Sequence, residues 1–302
     1  MRYYFAPMEG LTDSIYRRLH HKYFPGLDRY YMPFLSPTVH RTLTHREERE
    51  LPFADAESFV AIPQVLTKVP EDFLWATQVM KDRGYTEVNL NLGCPSGTVT
   101  AKGKGSGMLR DLEELERFLD AIFAAAPLPI SVKTRLGFEE PEEFPKLLEI
   151  YNQYPIVELT VHPRVRKQFY SGDVDMEQFR YAASNSKNPL CYNGDIVSLA
   201  DAERIETVDA VMIGRGLIAD PGMVTGGTDR QVLESFCDAL LESYLVAFGG
   251  SRNAMFRLKE NWGFLIQRFE GSEKLWKRLR KTTDLAEYRS ITREIFATLP
   301  MK

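Results

Sequence analysis

The sequence predicts an α/β protein: a (β/α)8 TIM barrel followed by a small all-helical C-terminal domain. Three observations carry this. Eight short apolar, β-rich runs alternate with amphipathic stretches of helical period. The runs end in polar turns containing Gly or Pro, where barrels of this kind keep their chemistry. After about Thr228 the strand pattern stops and only helical periodicity remains.

In chain order, strands are predicted over residues 3–6, 29–31, 59–65, 87–92, 130–134, 157–161, 190–192 and 210–213. The second unit is the weakest, because Pro33 and Pro37 interrupt the segment after its strand. Helices are predicted between strands over residues 70–83, 112–126, 141–154, 176–185 and 199–207, and in the tail over 231–248, 254–268, 273–281 and 285–298. Gly249-Gly250 and Gly271-Ser272 punctuate the tail helices. The expected organisation is therefore a barrel over residues 1–228 and a helical domain over 229–302.

The totals fit a globular chain of ordinary composition. Three widely spaced cysteines give neither a disulfide framework nor a zinc pattern, and no His/Asp/Glu spacing suggests another metal. The first residues are too polar for a secretory leader, and no apolar run has the length of a membrane span. A cytoplasmic protein without a membrane partner is expected. The formal net charge of -4 hides an asymmetry: residues 251–302 carry 12 Lys and Arg against 6 Asp and Glu. A basic tail on an acidic body is a footprint for a polyanion. Solvated helix faces would account for the same count.

The most informative stretch is Asn89-Leu90-Asn91-Leu92-Gly93-Cys94-Pro95-Ser96. It is a buried strand running into a turn in which Gly93 and Pro95 flank a thiol. Free cysteine is usually a core residue, a reading that suits Cys191 and Cys237 in their apolar segments. Cys94 sits among Gly, Pro, Ser and Thr, at a strand end, and reads as reactive.

Other strand ends would converge on the same mouth. They supply Pro7, Met8 and Glu9; Gln64; Asn91; Lys133 and Arg135; His162 and Arg164; Asn193, Gly194 and Asp195; and Gly214 and Arg215. Lys133 alternates with apolar neighbours on a strand, so its ammonium needs a polar or anionic partner. The glycine-rich ends of the last two strands match the usual phosphate site of such barrels, with Arg215 able to add a charged contact. The segment 102–107, with Lys102 and Lys104, lacks Walker spacing and reads as a mobile basic loop beside the site. Ser96 has no base partner that would make a hydrolase.

Taken together, Pro7-Met8-Glu9-Gly10 with Asp13, Gln64, the 91–95 loop, residues 132–137, Val161-His162, residues 193–195 and residues 212–216 resemble the tRNA-dihydrouridine synthase family. The matches run in order from first strand to last. Pro163 and the Gly107-Met108-Leu109 segment depart from the commoner family pattern.

The resemblance implies FMN and reduction of a tRNA D-loop uridine to 5,6-dihydrouridine, with NADPH as electron donor. Hydride would pass from the flavin to carbon 6 of the uracil, and Cys94 would give a proton to carbon 5. A thiol of ordinary pKa, roughly 8.5, is mostly protonated at neutral pH and can serve as that acid. Pro7, Met8, Glu9, Gln64, Asn91, Lys133, His162, Asn193, Gly194, Asp195, Gly214 and Arg215 would hold the flavin. Lys102, Lys104, Arg135, Arg164, Lys274, Lys277, Arg278 and Lys281 would meet the tRNA, with phosphates giving most of the affinity. The alternative is another FMN barrel acting on a free pyrimidine, as a dihydroorotate dehydrogenase does; that class has no need of a basic helical tail.

Overall fold

A computed structural model describes residues 1–302. The chain divides into two compact units. One comprises residues 1–7, 28–195 and 200–213; the other comprises residues 8–27, 196–199 and 214–302.

The first unit is a parallel barrel. Its strands are β1 (Arg2–Phe5), β2 (Arg29–Tyr31), β3 (Ala61–Ile62), β4 (Gln64–Val65), β5 (Val88–Leu92), β6 (Ile130–Gly137), β7 (Leu159–Val165), β8 (Leu190–Asn193) and β9 (Ala210–Ile213). Every pairing is parallel, in the order β3-β2-β1-β9-β8-β7-β6-β5-β4. β3 and β4 are halves of one predicted strand. Pro63 lies between them and has no N–H for a ladder. One half pairs with β2 and the other with β5, so this segment brings the two ends of the sheet together.

Two strands run further than their apolar patterns. β6 continues to Gly137, and β7 carries His162, Pro163 and Arg164 within the strand. The register between them slips between Arg135 and Gly137. That irregularity accommodates a proline in an interior strand.

Residues on one face of these strands form the interior. Tyr4, Ala6, Tyr31, Ile62, Cys191, Ala210 and Met212 pack together there. Tyr4 donates to Glu158 at 3.0 Å, Tyr31 donates to the same carboxylate at 3.4 Å, and Arg2 lies 3.4 Å from it. Cys191 is enclosed among these groups, and burial pushes its thiol well up from the ordinary value.

In the second unit, the helix Ser14–Tyr23 packs with the tail helix Arg230–Phe248. The sequence pattern does not reveal this first helix, which lies within the segment expected to belong to the barrel. Phe236 meets the rings of Tyr16, Tyr23 and Phe24 edge-on, with centroids 5.3–6.0 Å apart. Asp13 caps the helix by accepting from the Tyr16 N–H and also accepts from Tyr244 at 3.0 Å. Three further helices complete the tail, Ser251–Leu265, Glu273–Lys281 and Leu285–Thr298, close to their predicted bounds. Trp262 donates to Tyr288 at 2.9 Å, and Phe269 and Phe296 pack edge to face behind it. On Glu273–Lys281, Leu275 and Leu279 are buried while Lys274, Lys277, Arg278, Arg280 and Lys281 face solvent. No helix is long and apolar enough to cross a membrane.

Candidate functional site

The Cys94 loop is held by a directed chain of amides. Asn91 Oδ1 accepts the backbone N–H of Gly93 at 3.0 Å and of Cys94 at 2.9 Å. Its Nδ2 therefore points the other way and donates to Gln64 Oε1 at 2.7 Å. Gln64 Nε2 donates to Asn89 Oδ1 at 2.7 Å, and Asn89 Nδ2 donates to Ser131 Oγ at 2.9 Å. Each amide's orientation is set by its neighbour. Asn89 and Ser131 were not among the expected site residues. The signal was present, since Val-Asn-Leu-Asn-Leu alternates polar and apolar residues in a strand buried on both faces.

The other side of the loop is closed by residues 105–107. Ser106 Oγ donates to the Cys94 carbonyl at 2.8 Å. Gly105 has φ +58°, and a Cβ there would lie 3.0 Å from the Cys94 Cβ, so a side chain at this position would be both strained and crowded. The segment expected to be a mobile basic loop is thus a packed buttress, because Gly105, Ser106 and Gly107 are buried. Lys104 is half-buried and donates to Ser36 at 3.1 Å, whereas Lys102 is exposed. Cys94 itself remains partly exposed.

Register pairs Asn91 with Lys133 and Arg135 with His162. Lys133 Nζ donates to Asn193 Oδ1 at 2.7 Å, and Asn193 Nδ2 donates to the Met212 carbonyl at 2.7 Å. No carboxylate attends this ammonium. Desolvation, and then the nearby Arg135 guanidinium, lower its pKa to about 7. Lys133 thus has an amide, not an acid, as its partner.

Arg164 is buried and fully engaged. It grips the carboxylate of Asp195 bidentately, donates through Nε and Nη2 to the Gly172 carbonyl, and donates through Nη1 to His162 Nε2 at 3.1 Å. A guanidinium cannot accept a hydrogen bond, so neutral His162 carries its proton on Nδ1. Asp195 has φ +43°, an uncommon conformation held by this pair. Arg135 is also turned inward. It donates to the Gly93 carbonyl at 2.9 Å and to the Val165 carbonyl at 3.1 Å. Both arginines had been expected to meet tRNA; their positions make them struts beneath the Cys94 and Asp195 turns.

Of the remaining expected residues, Pro7 follows β1 in the first unit. Met8, Glu9, Gly214 and Arg215 belong to the second. There Met8 accepts from the Leu11 and Thr12 N–H groups, and Glu9 is exposed. Gly216, just after Arg215, packs so tightly that a Cβ would lie 2.2 Å from the Ile196 carbonyl oxygen.

A parallel barrel whose strand ends gather one accessible thiol, one amide-paired lysine and a braced histidine defines a (β/α)8 enzyme. The sequence pattern of "Dihydrouridine synthase (Dus)" matches residues 4–288. A "Probable tRNA-dihydrouridine synthase" of Rickettsia bellii is 31% identical, over 79% of this chain and 77% of the relative. One of Staphylococcus aureus is 28% identical over 97% and 93%. The "tRNA-dihydrouridine synthase B" of Pasteurella multocida is 28% identical over 73% and 67%. Among solved structures, morphinone reductase shares the fold, with TM-score 0.52 and 14% identity over 74% of this chain and 84% of that one.

The chain belongs to the dihydrouridine synthase family. As a member, it is a flavin-dependent oxidoreductase. The residues fit such a cofactor on one observation of this structure: the part-buried Lys133 ammonium, beside the Asn193 amide and no acid, suits the electron-rich edge of a flavin ring.

Proposed function

We propose that this protein reduces a uridine in the D-loop of tRNA to 5,6-dihydrouridine, with FMN as the flavin and NADPH as electron donor. The observation that carries the reading is the pairing of a partly exposed thiol at the end of β5 with the amide-paired Lys133 on adjacent β6. A cytoplasmic location belongs to the same reading.

When bound, FMN supplies the hydride. Lys133 holds positive charge against the ring, and Asn193 aims its ammonium. Gln64 and Asn91 present amide groups whose directions are already fixed by the chain that ends on Ser131. His162 from β7, Asn193 at the end of β8, and Gly194 and Asp195 just after it hold the cofactor, with Pro7 following β1. Cys94 keeps a proton on Sγ and delivers it to carbon 5 of the uracil. The target base must leave its stack to reach the thiol. Lys102 and Lys104 meet phosphates near the site. Residues 229–302 act as a tRNA-binding domain through the exposed Lys274, Lys277, Arg278 and Lys281.

The test is direct. Purified protein is incubated with an unmodified tRNA transcript and NADPH, and the nucleosides are analysed by mass spectrometry. The expected product is a uridine that has gained two hydrogens at one D-loop position. Reduction of free uracil or orotate, with the transcript untouched, would overturn the reading.

A further inference from the structure

Beside the Cys94 loop the chain displays two adjacent large rings that the fold does not bury. Phe169 is 41% exposed and Tyr170 49% exposed, on the turn after β7. Phe169 holds φ +52°, which is rare for a bulky side chain.

Two arginines fix these rings and tie them to both sides of the Cys94 loop. Arg135, whose Nε is bonded to the Gly93 carbonyl, places its guanidinium carbon 5.6 Å from the Tyr170 ring centroid. The His162 ring lies 6.1 Å from the same ring, at 32°. Arg166 places its guanidinium over Phe169 at 5.2 Å and over buried Phe138 at 5.1 Å, and donates to Thr100 Oγ1 at 3.3 Å. Arg110 covers Phe138 at 3.8 Å. The cations of Arg110 and Arg166 are thus met by aromatic faces rather than by carboxylates.

We propose that Phe169 and Tyr170 form a stacking platform for the nucleobase adjoining the target uridine in the RNA. The proposal rests on the tRNA-reducing reading and adds to it where the neighbouring nucleotide goes. When the target base leaves its stack to reach Cys94, its neighbour loses a stacking partner. An exposed ring one guanidinium away from the Cys94 loop replaces that partner. Aromatic rings accept any base, and Arg166 beside Phe169 adds charge that suits a flanking phosphate. Stacking also gives physical meaning to the Phe169 backbone, since a strained conformation persists where the surroundings hold a side chain for use.

The experiment compares tRNA affinity for the full flavin-loaded chain, Tyr170→Leu, Tyr170→Phe and Phe169→Leu across a range of salt. Flavin content is measured in each preparation. Loss of one stacked base weakens binding by roughly 5- to 150-fold. The leucine variants are expected to fall in that range, with flavin retained and the salt slope unchanged, because no phosphate partner is removed. Tyr170→Phe is expected to bind like wild type. Leucine and phenylalanine variants that bind tRNA alike overturn the platform. So does a loss confined to the Michaelis constant for NADPH, which would assign the rings to the adenine of the dinucleotide. In a second arm, irradiated tRNA carrying 5-bromouridine next to the target is expected to cross-link to Phe169 or Tyr170; cross-links only elsewhere would count against it. If wild-type protein neither binds nor reduces tRNA, the functional reading fails, and that outcome is distinct from each of these.

Discussion

The side-chain carbonyl of Asn91 accepts the backbone N–H of Cys94 at 2.9 Å, so the thiol's direction is set by an amide three residues earlier. The same oxygen takes the Gly93 N–H, and the amide nitrogen is spent on Gln64. Asn91→Ala removes all three bonds at once. It is expected to cost about 1–3 kcal/mol of stability, the usual penalty for leaving such groups unpaired. Urea unfolding of both proteins measures this. A variant as stable as wild type would mean that solvent replaces the amide and that the loop is not held from β5.

Cys94→Ala is expected to retain flavin and to lower tRNA reduction by about 10²–10⁴-fold, the range for loss of a general acid. Flavin reduction by NADPH, monitored by stopped-flow absorbance, separates the two halves of the reaction. Dihydrouridine formation at the wild-type rate at neutral pH would remove Cys94 from the chemistry.

Lys133 makes a prediction about pH. Its folded pKa, about 7, lies below the unfolded value of 10.5. Below pH 7 the lysine is protonated in both states, and the fold bears the full cost of desolvating the charge. Between pH 7 and 10.5 the unfolded chain binds more protons, so this group makes stability rise with pH. Above that window both forms are neutral and the cost is gone. For flavin-free protein, Lys133→Met should therefore gain most relative to wild type near pH 6, and the gain should shrink towards pH 10. Thermal melts across that range read the difference. A gain independent of pH would show that the ammonium is not desolvated.

Arg164→Lys keeps one charge but loses the fork that grips Asp195, Gly172 and His162. Because Asp195 is partly exposed, the expected loss is about 1–3 kcal/mol, less than for a fully enclosed pair. Chemical denaturation measures it. The accompanying change in the Asp195 turn should lower flavin affinity, read by fluorescence on cofactor release.

Charge reversal at Lys274, Lys277 and Lys281 should weaken tRNA binding and flatten its salt dependence, by about 0.9 in log–log slope for each phosphate no longer neutralised. Arg278 is the poorer choice, since it already pairs with Glu294 at 3.0 Å. Cutting the chain after Asp229 would be a worse test, because Phe236 covers Tyr16, Tyr23 and Phe24. Filter binding at several salt concentrations suffices. An unchanged slope would make this helix an ordinary solvated face.

Local chemistry made much of this protein legible from its sequence. Alternating apolar runs with polar ends marked the barrel strands, and 3.6-residue periodicity marked the tail helices, because both signals come from neighbours within one element. Cys94 stood out for its polar turn between Gly93 and Pro95 at a strand end, Gln64 and Asn91 for lying at strand ends, and Lys133 for alternating with apolar neighbours on a strand. Tertiary structure alone decided how these residues are coupled. Only strand register brings Gln64, Asn89, Asn91 and Ser131 into one directed chain, and only the approach of β8 leaves Lys133 with an amide instead of an acid. The inward turn of Arg135 and Arg164, the buried buttress at residues 105–107, and the grouping of helix Ser14–Tyr23 with Arg230–Phe248 are of the same kind. Each depends on contacts between residues far apart in the chain, and no local pattern encodes which distant partner will satisfy a buried charge.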